Sequence, residues 1–187
     1  DGDFDVLRTN FDLEPNSLHV NDGKGRFQDK ARAYGLAAPS LDKLGWGAAF
    51  LDADRDGDLD LLVANGHVFP QSEQVGMHAW RQPTQLFEGV PHRSFGTAWE
   101  EITERAGPGL ARPHSARGIA VADFDDDGDP DALVVDIDEP PRLLRNEANP
   151  RRWLRVELEG RRSNRSGYGA VLDAVAKGVE MLSAVPL

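Results

Sequence analysis

The chain has 187 residues with 32 acidic and 21 basic side chains, a formal charge of −11. That balance argues against nucleic acid or an anionic membrane surface as a partner, and the absence of cysteine excludes disulfides, thiol catalysis and cysteine-ligated metals. Hydrophobic residues make up 40% and mean hydropathy is −0.49, as in a soluble globular chain, and no apolar run of about twenty residues offers a membrane span.

In chain order, the first element is part of a pattern that recurs twice. Asp1-Gly2-Asp3-Phe4-Asp5, followed by Val6 and Leu7, aligns with Asp56-Gly57-Asp58-Leu59-Asp60 and its Leu61-Leu62. The chain therefore opens inside an acidic loop, Asp1 is not expected to be a natural N-terminus, and any targeting information would lie upstream. Leu18-His19-Val20-Asn21 leads into Asp22-Gly23-Lys24-Gly25, a strong hairpin turn, and out through Phe27-Gln28-Asp29. Ala48 to Leu51 and Leu61 to Val63 read as short strands around the complete loop 52–60. The interval to the next loop is longer than the one before, and the excess is most economically placed in residues 66–83. Leu86-Phe87 and Trp99 to Thr103 follow as strands. Ile119 to Ala122 and Ala132 to Val134 flank the second complete loop, 123–131, and Leu143 to Asn146 repeats the unit seen at Leu18 to Asn21. Beyond it, Leu154, Val156 and Leu158 alternate on one strand face, Ser163 to Gly169 is turn chemistry, and Ala170 to Val175 is suited to pair back as a hairpin.

The two complete loops have the spacing of a calcium cage. Carboxylates at positions 1, 3 and 5 turn inward when the backbone curls, glycine at position 6 permits the bend, position 7 offers a carbonyl and position 9 closes the shell. The expected Ca²⁺ ligands are Asp52, Asp54, Asp56, Asp58 and Asp60 in one loop and Asp123, Asp125, Asp127, Asp129 and Asp131 in the other. Asp1, Asp3 and Asp5 remain from a third. An EF-hand would need a bidentate glutamate at position 12 and flanking helices, but Val63 and Val134 stand there and the flanks read as strands. The plainer alternative is a polar turn built from aspartate and glycine. Five matched aspartates in each of two copies weigh against it.

These repeats predict an all-β fold of β-propeller-type, four-stranded blades over residues 1–147, about three in number. A ring normally needs four to eight blades, so an open edge is expected and the isolated chain is expected to self-associate. The insertion has two readings. It is either a ligand-contacting loop with His67 and Trp80 as the natural contacts, or a segment packed onto its own blade by Trp80 and Phe69. His19, His67, His78, His92 and His114 are scattered, with no i, i+4 metal pair and no nucleophile turn. No enzyme activity is expected of this chain.

Gly45-Trp46-Gly47 through Phe50, the loop 52–60 and Asn65-Gly66-His67-Val68 together resemble the FG-GAP/VCBS repeat of proteins that also carry an ASPIC/UnbV domain, the cartilage acidic protein group. The resemblance continues through Gln82-Pro83, Leu86-Phe87 and Pro140 to Asn146. Trp153 to Gly160, followed by Ser163-Asn164-Arg165 and Gly167 to Ala170, resembles the start of the ASPIC/UnbV domain. It implies an integrin-α-like propeller with Ca²⁺ in its blade loops, secreted, periplasmic or at the cell surface, followed over 148–187 by a partial β-rich domain. Ser166 departs from the acidic residue usual there, Gly89 to Ser94 lacks the Asn-Asp-Gly turn, and Lys177 to Leu187 does not continue the expected strands.

The functional expectation is a non-catalytic, calcium-stabilised scaffold for extracellular binding or adhesion, with a protein or glycan ligand. The alternatives are a substrate-holding or accessory part of a larger enzyme or biosynthetic protein, and a rigid spacer.

Overall fold

A computed structural model describes residues 3–94, 96–147, 156–162, 164–176 and 179–184. The chain divides into two compact units, Asp1–Asn149 and Pro150–Leu187. Asp1, Gly2, Trp153, Leu154, Ser163 and Lys177, named above, lie outside the described residues. No helix among those described is long and apolar enough to cross a membrane.

The first unit holds three antiparallel sheets, each strand pairing with its sequence neighbour. β1 (Val6–Arg8), β2 (Ser17–Asn21) and β3 (Phe27–Asp29) form the first sheet. β4 (Gly45–Leu51), β5 (Asp60–Asn65), β6 (Gln85–His92) and β7 (Gly96–Glu101) form the second. β8 (Ala116–Ala122), β9 (Asp131–Asp136) and β10 (Arg142–Leu144) form the third. Four strands per repeat were expected; among the described residues only the second sheet has four. Two single-turn helices, α1 (Ala37–Ser40) and α2 (Pro108–Ala111), lie between the sheets in sequence.

Packing explains why β5 is apolar without alternation. Leu61 and Val63 join Leu18, Leu36 and Phe87 in one cluster, Leu62 joins Leu51, Leu110 and Ala132 in a second, and Ala64 joins Ala116 and Val134 in a third. Successive side chains of a strand point to opposite faces. The middle sheet thus lies between the other two, and every residue of β5 is buried. Gly47 permits close approach, since a Cβ there would come within 2.8 Å of the Arg117 carbonyl oxygen on β8. Beside it the Trp46 indole donates to the Gly66 carbonyl at 2.7 Å and carries the Arg117 guanidinium 4.2 Å from its ring centroid.

The insertion is packed at its two ends, where Gly66, His67 and Gln82 are buried, while residues 73–77 in its middle are exposed. His67 is fully buried, with the rings of Phe11 and Phe69 edge-on to it at centroid distances of 5.7 and 5.3 Å. Burial holds its imidazole below the usual histidine range. This corrects the reading of His67 as a ligand contact, because the apolar rings that cover it leave no surface to offer. A 3₁₀ turn, Ser72–Val75, follows and ends on left-handed Gly76. His78 then contacts the Asp12 carboxylate through Nδ1 and donates its backbone N–H to it at 3.2 Å. Trp80 is half-buried, with the Arg81 guanidinium 5.4 Å from its ring centroid.

In the second unit β11 (Val171–Ala176) pairs with β12 (Val179–Ala184), Val171 opposite Ala184 and Ala176 opposite Val179. Residues expected not to continue the strands therefore supply one. Val156 to Gly160, read from the sequence as strand, is irregular. Asn164 and Tyr168 exchange hydrogen bonds of 2.9 and 2.7 Å across the expected turn.

Phe87 tests the stacking. It is fully buried where the first two sheets meet, whereas Phe27 is 50% exposed. Phe87→Ala is expected to cost about 3–5 kcal/mol and Phe27→Ala no more than about 0.5 kcal/mol, measured by denaturant unfolding. Equal losses would contradict the stacking.

Candidate metal centre

Both complete acidic loops lie at hairpin tips, between β4 and β5 and between β8 and β9, as the strand–loop–strand reading expected. Within each, short hydrogen bonds fix the curl. The Asp52 carboxylate accepts from the backbone N–H of Asp56 and of Gly57 at 3.0 and 3.1 Å, and Asp54 accepts from Asp56 at 3.0 Å. Asp123 accepts from Asp127 and Gly128, both at 3.1 Å, and Asp125 accepts from Asp127 at 3.3 Å. Position 4 is left-handed in both, with φ of 58° at Arg55 and 59° at Asp126. The two loops share one backbone design.

Not all ten aspartates converge. Oxygens of Asp52, Asp54 and Asp60 lie within 4.8 Å of one another, as do those of Asp123, Asp125 and Asp127. Asp56 accepts from the backbone N–H of Asp58 at 2.9 Å, and Asp58 accepts from the Thr97 hydroxyl at 3.2 Å. Position 9 does more than the sequence reading gave it. Asp60 accepts from the N–H of Ala53 in its own loop and of Gly89 on β6, both at 2.7 Å. Asp131 accepts from Phe124 at 3.0 Å and from Asn146 at 2.8 Å. In the first sheet Asp5 accepts from Asn21 at 2.8 Å. Each ninth-position aspartate thus ties its loop to the next strand or its end. The recurrence of Asn at 21 and 146, equivalent positions of the first and third repeats, was the sequence signal for this role. Of the partial loop, Asp3 and Asp5 are described.

Charge is concentrated at these tips. Burial pushes the Asp60 carboxyl up to about 6, with Asp54 and Asp52 adding to the rise and the Gly89 and Ala53 amides opposing it. Burial also raises Asp52. Asp129 is pushed up to about 6 by burial and then by its neighbour Asp127, whose own carboxyl is held below the usual range by hydrogen bonding from Asp129. The Arg55 Nη2 lies 3.4 Å from Asp129 Oδ2, and Asp129 Oδ1 is buried without a hydrogen-bond partner.

These residues fit calcium chemically. A hard cation of six to eight oxygen ligands suits an all-oxygen donor set, and a buried carboxylate oxygen with no partner beside Asp127 is an acceptor in need of a positive charge. A third cluster, His114, Asp136 and Glu139, also lies within 4.8 Å, but Arg142 binds Asp136 at 2.6 Å and Arg81 binds Glu139 at 2.5 Å. Two guanidinium groups already balance its two carboxylates. Between the second and third sheets an apolar cleft of about 690 Å³ is lined in part by Leu62, Leu86, Leu110 and Leu144, with Arg105 and Arg145.

A raised carboxyl pKa means that the folded state binds more protons than the unfolded one between about pH 4 and 6, so stability falls as pH rises through that window. In chelator the melting temperature is expected to drop from pH 5 to pH 7. A rise over that range would contradict the crowding of these carboxylates.

Residues 1–63 match the FG-GAP-like repeat family, a span that covers the first sheet, β4, the first complete loop and most of β5. Over 113 residues the chain is 29% identical to cartilage acidic protein 1 of Mus musculus and to that of Homo sapiens, a match that takes in 60% of this chain and 14% of each relative. The match thus spans about 14% of the length of these curated relatives. Over residues 1–63 the chain is thus similar to an FG-GAP-like repeat, and over 113 residues it is similar to cartilage acidic protein 1.

Proposed function

We propose that this chain is a segment of a calcium-stabilised β-propeller that acts as a non-catalytic scaffold for extracellular binding or adhesion. The observation that carries this reading is the pair of acidic loops with one hydrogen-bond design at the hairpin tips of adjacent, face-packed sheets. Consecutive antiparallel meanders stacked on one another are what propeller blades are made of. Similarity to cartilage acidic protein 1 supports an extracellular setting, where calcium is abundant enough to fill weak oxygen cages. Asp52, Asp54 and Asp60, and Asp123, Asp125 and Asp127, are the side chains we assign to the two ions, with Asp56, Asp58, Asp129 and Asp131 completing the loops.

The ion's role is structural. When bound, it supplies the positive charge that neutralises each crowded tip and fixes the curl between two strands. The partner we assign is a protein or a glycan. Leu133, Val135 and Leu143 share one face of the third sheet, and Val135 and Leu143 are 46% and 56% exposed. We assign self-association of the isolated chain to this face.

Extracellular calcium modules bind with Kd of about 10⁻⁴ to 10⁻³ M. At about ten times Kd, each ion stabilises the fold by roughly 1.4 kcal/mol. Two ions then raise the melting temperature by about 5–10 °C over the value in chelator. Asp54→Asn combined with Asp125→Asn is expected to abolish the shift. Identical melting curves with calcium and with chelator would overturn the reading.

A further inference from the structure

The two loops share a backbone design, but their counter-ions differ. Arg145 immediately precedes Asn146, whose amide binds Asp131, and its Nε lies 2.9 Å from Asp125 Oδ2 while its Nη2 lies 3.9 Å from Asp127 Oδ2. Asp125 and Asp127 are two of the three converging carboxylates of the second loop. The corresponding residue of the second sheet, immediately before Gly89 whose amide binds Asp60, is Glu88, and its carboxylate is held by Arg105 at 3.2 Å. One repeat has a cation where the other has an anion. The basic residue inside the first loop, Arg55, extends to Asp129 of the second. Two guanidinium groups therefore lie against the second loop's carboxylates, whereas among the described residues no lysine or arginine pairs with Asp52, Asp54 or Asp56. Asp126, the second loop's additional acid, is exposed and stands outside its converging set.

Resting on the calcium reading above, we propose that Arg145 is a built-in competitor for the second site. The first loop fills at lower calcium, and the second fills by displacing the Arg145 guanidinium from Asp125. The Arg145 and Asp125 side chains are 58% and 34% exposed, and ion pairs open to water are weak. The guard therefore lowers affinity without closing the site. Asp129 Oδ1, buried and lacking a hydrogen-bond partner, leaves an acceptor that the guanidinium groups do not satisfy. Arg55 and the Asn146 side chain, which donates to the Ala53 carbonyl at 2.6 Å, also join the two tips mechanically, so the first ion stiffens a strut of the second site.

Calorimetric titration of the whole chain with calcium chloride tests this, with circular dichroism to show that each variant is folded. Two unequal steps are expected. Asp54→Asn should remove the tighter one and Asp125→Asn the weaker one. Arg145→Gln should tighten the weaker step roughly fivefold, the scale of a screened unit charge near a divalent ion, and leave the tighter step alone. Arg145→Lys, which keeps the charge, should leave the weaker step weak. Equal steps, loss of the tighter step in Asp125→Asn, or no change in Arg145→Gln would overturn the guard while leaving calcium binding intact. No calcium binding by the unmutated chain would overturn the guard and the calcium reading together.

Discussion

The organisation of the sheets rests on the aspartate at the ninth position of each acidic loop. Its two oxygens accept backbone N–H bonds from two places, the second residue of its own loop and the next strand or its end: Ala53 and Gly89 for Asp60, Phe124 and Asn146 for Asp131. Asp60 and Asp131 are buried at 3% and 1% exposure. Hydrogen bonds to a buried charge are worth about 1.5–3 kcal/mol each, and losing the acceptor would also strand two donors. A loop that curls correctly therefore places its carboxylate where the neighbouring strand needs it. Loop shape and sheet register become one property.

The cost of this arrangement is electrostatic, since burial lifts the carboxyls of Asp60 and Asp129 to about 6. Near neutral pH the fold holds ionised groups that their surroundings disfavour. A divalent cation at the loop would remove that penalty and preserve the hydrogen bonds, whereas a proton would remove it by changing what the carboxylate does. This asymmetry gives a physical reason for coupling sheet stability to calcium.

Much of the arrangement was legible in the sequence. Loop position, the strand–loop–strand setting and the all-β class follow from aspartate spacing, glycine at position 6 and short apolar flanks. What could not be read was set by contacts distant in sequence. Arg55 and Asp129 are brought together only when two hairpin tips meet. His67, one of two residues offered as ligand contacts, is covered by Phe69, which the alternative packed reading named, and by Phe11 from another sheet's loop, which local pattern does not reveal. The β11–β12 hairpin uses residues whose departure from the expected pattern argued against a strand, yet backbone pairing does not require that pattern.

Amide hydrogen exchange at Gly89 and Asn146 tests the central claim most directly, because these two N–H groups are the far ends of the carboxylate ties. In calcium both amides should exchange slowly, and in chelator both should exchange markedly faster, while the Gly45 amide, bonded to the Asn10 carbonyl and away from the acidic loops, changes little. Unchanged exchange at Gly89 and Asn146 on calcium removal would contradict the coupling of loop charge to sheet structure.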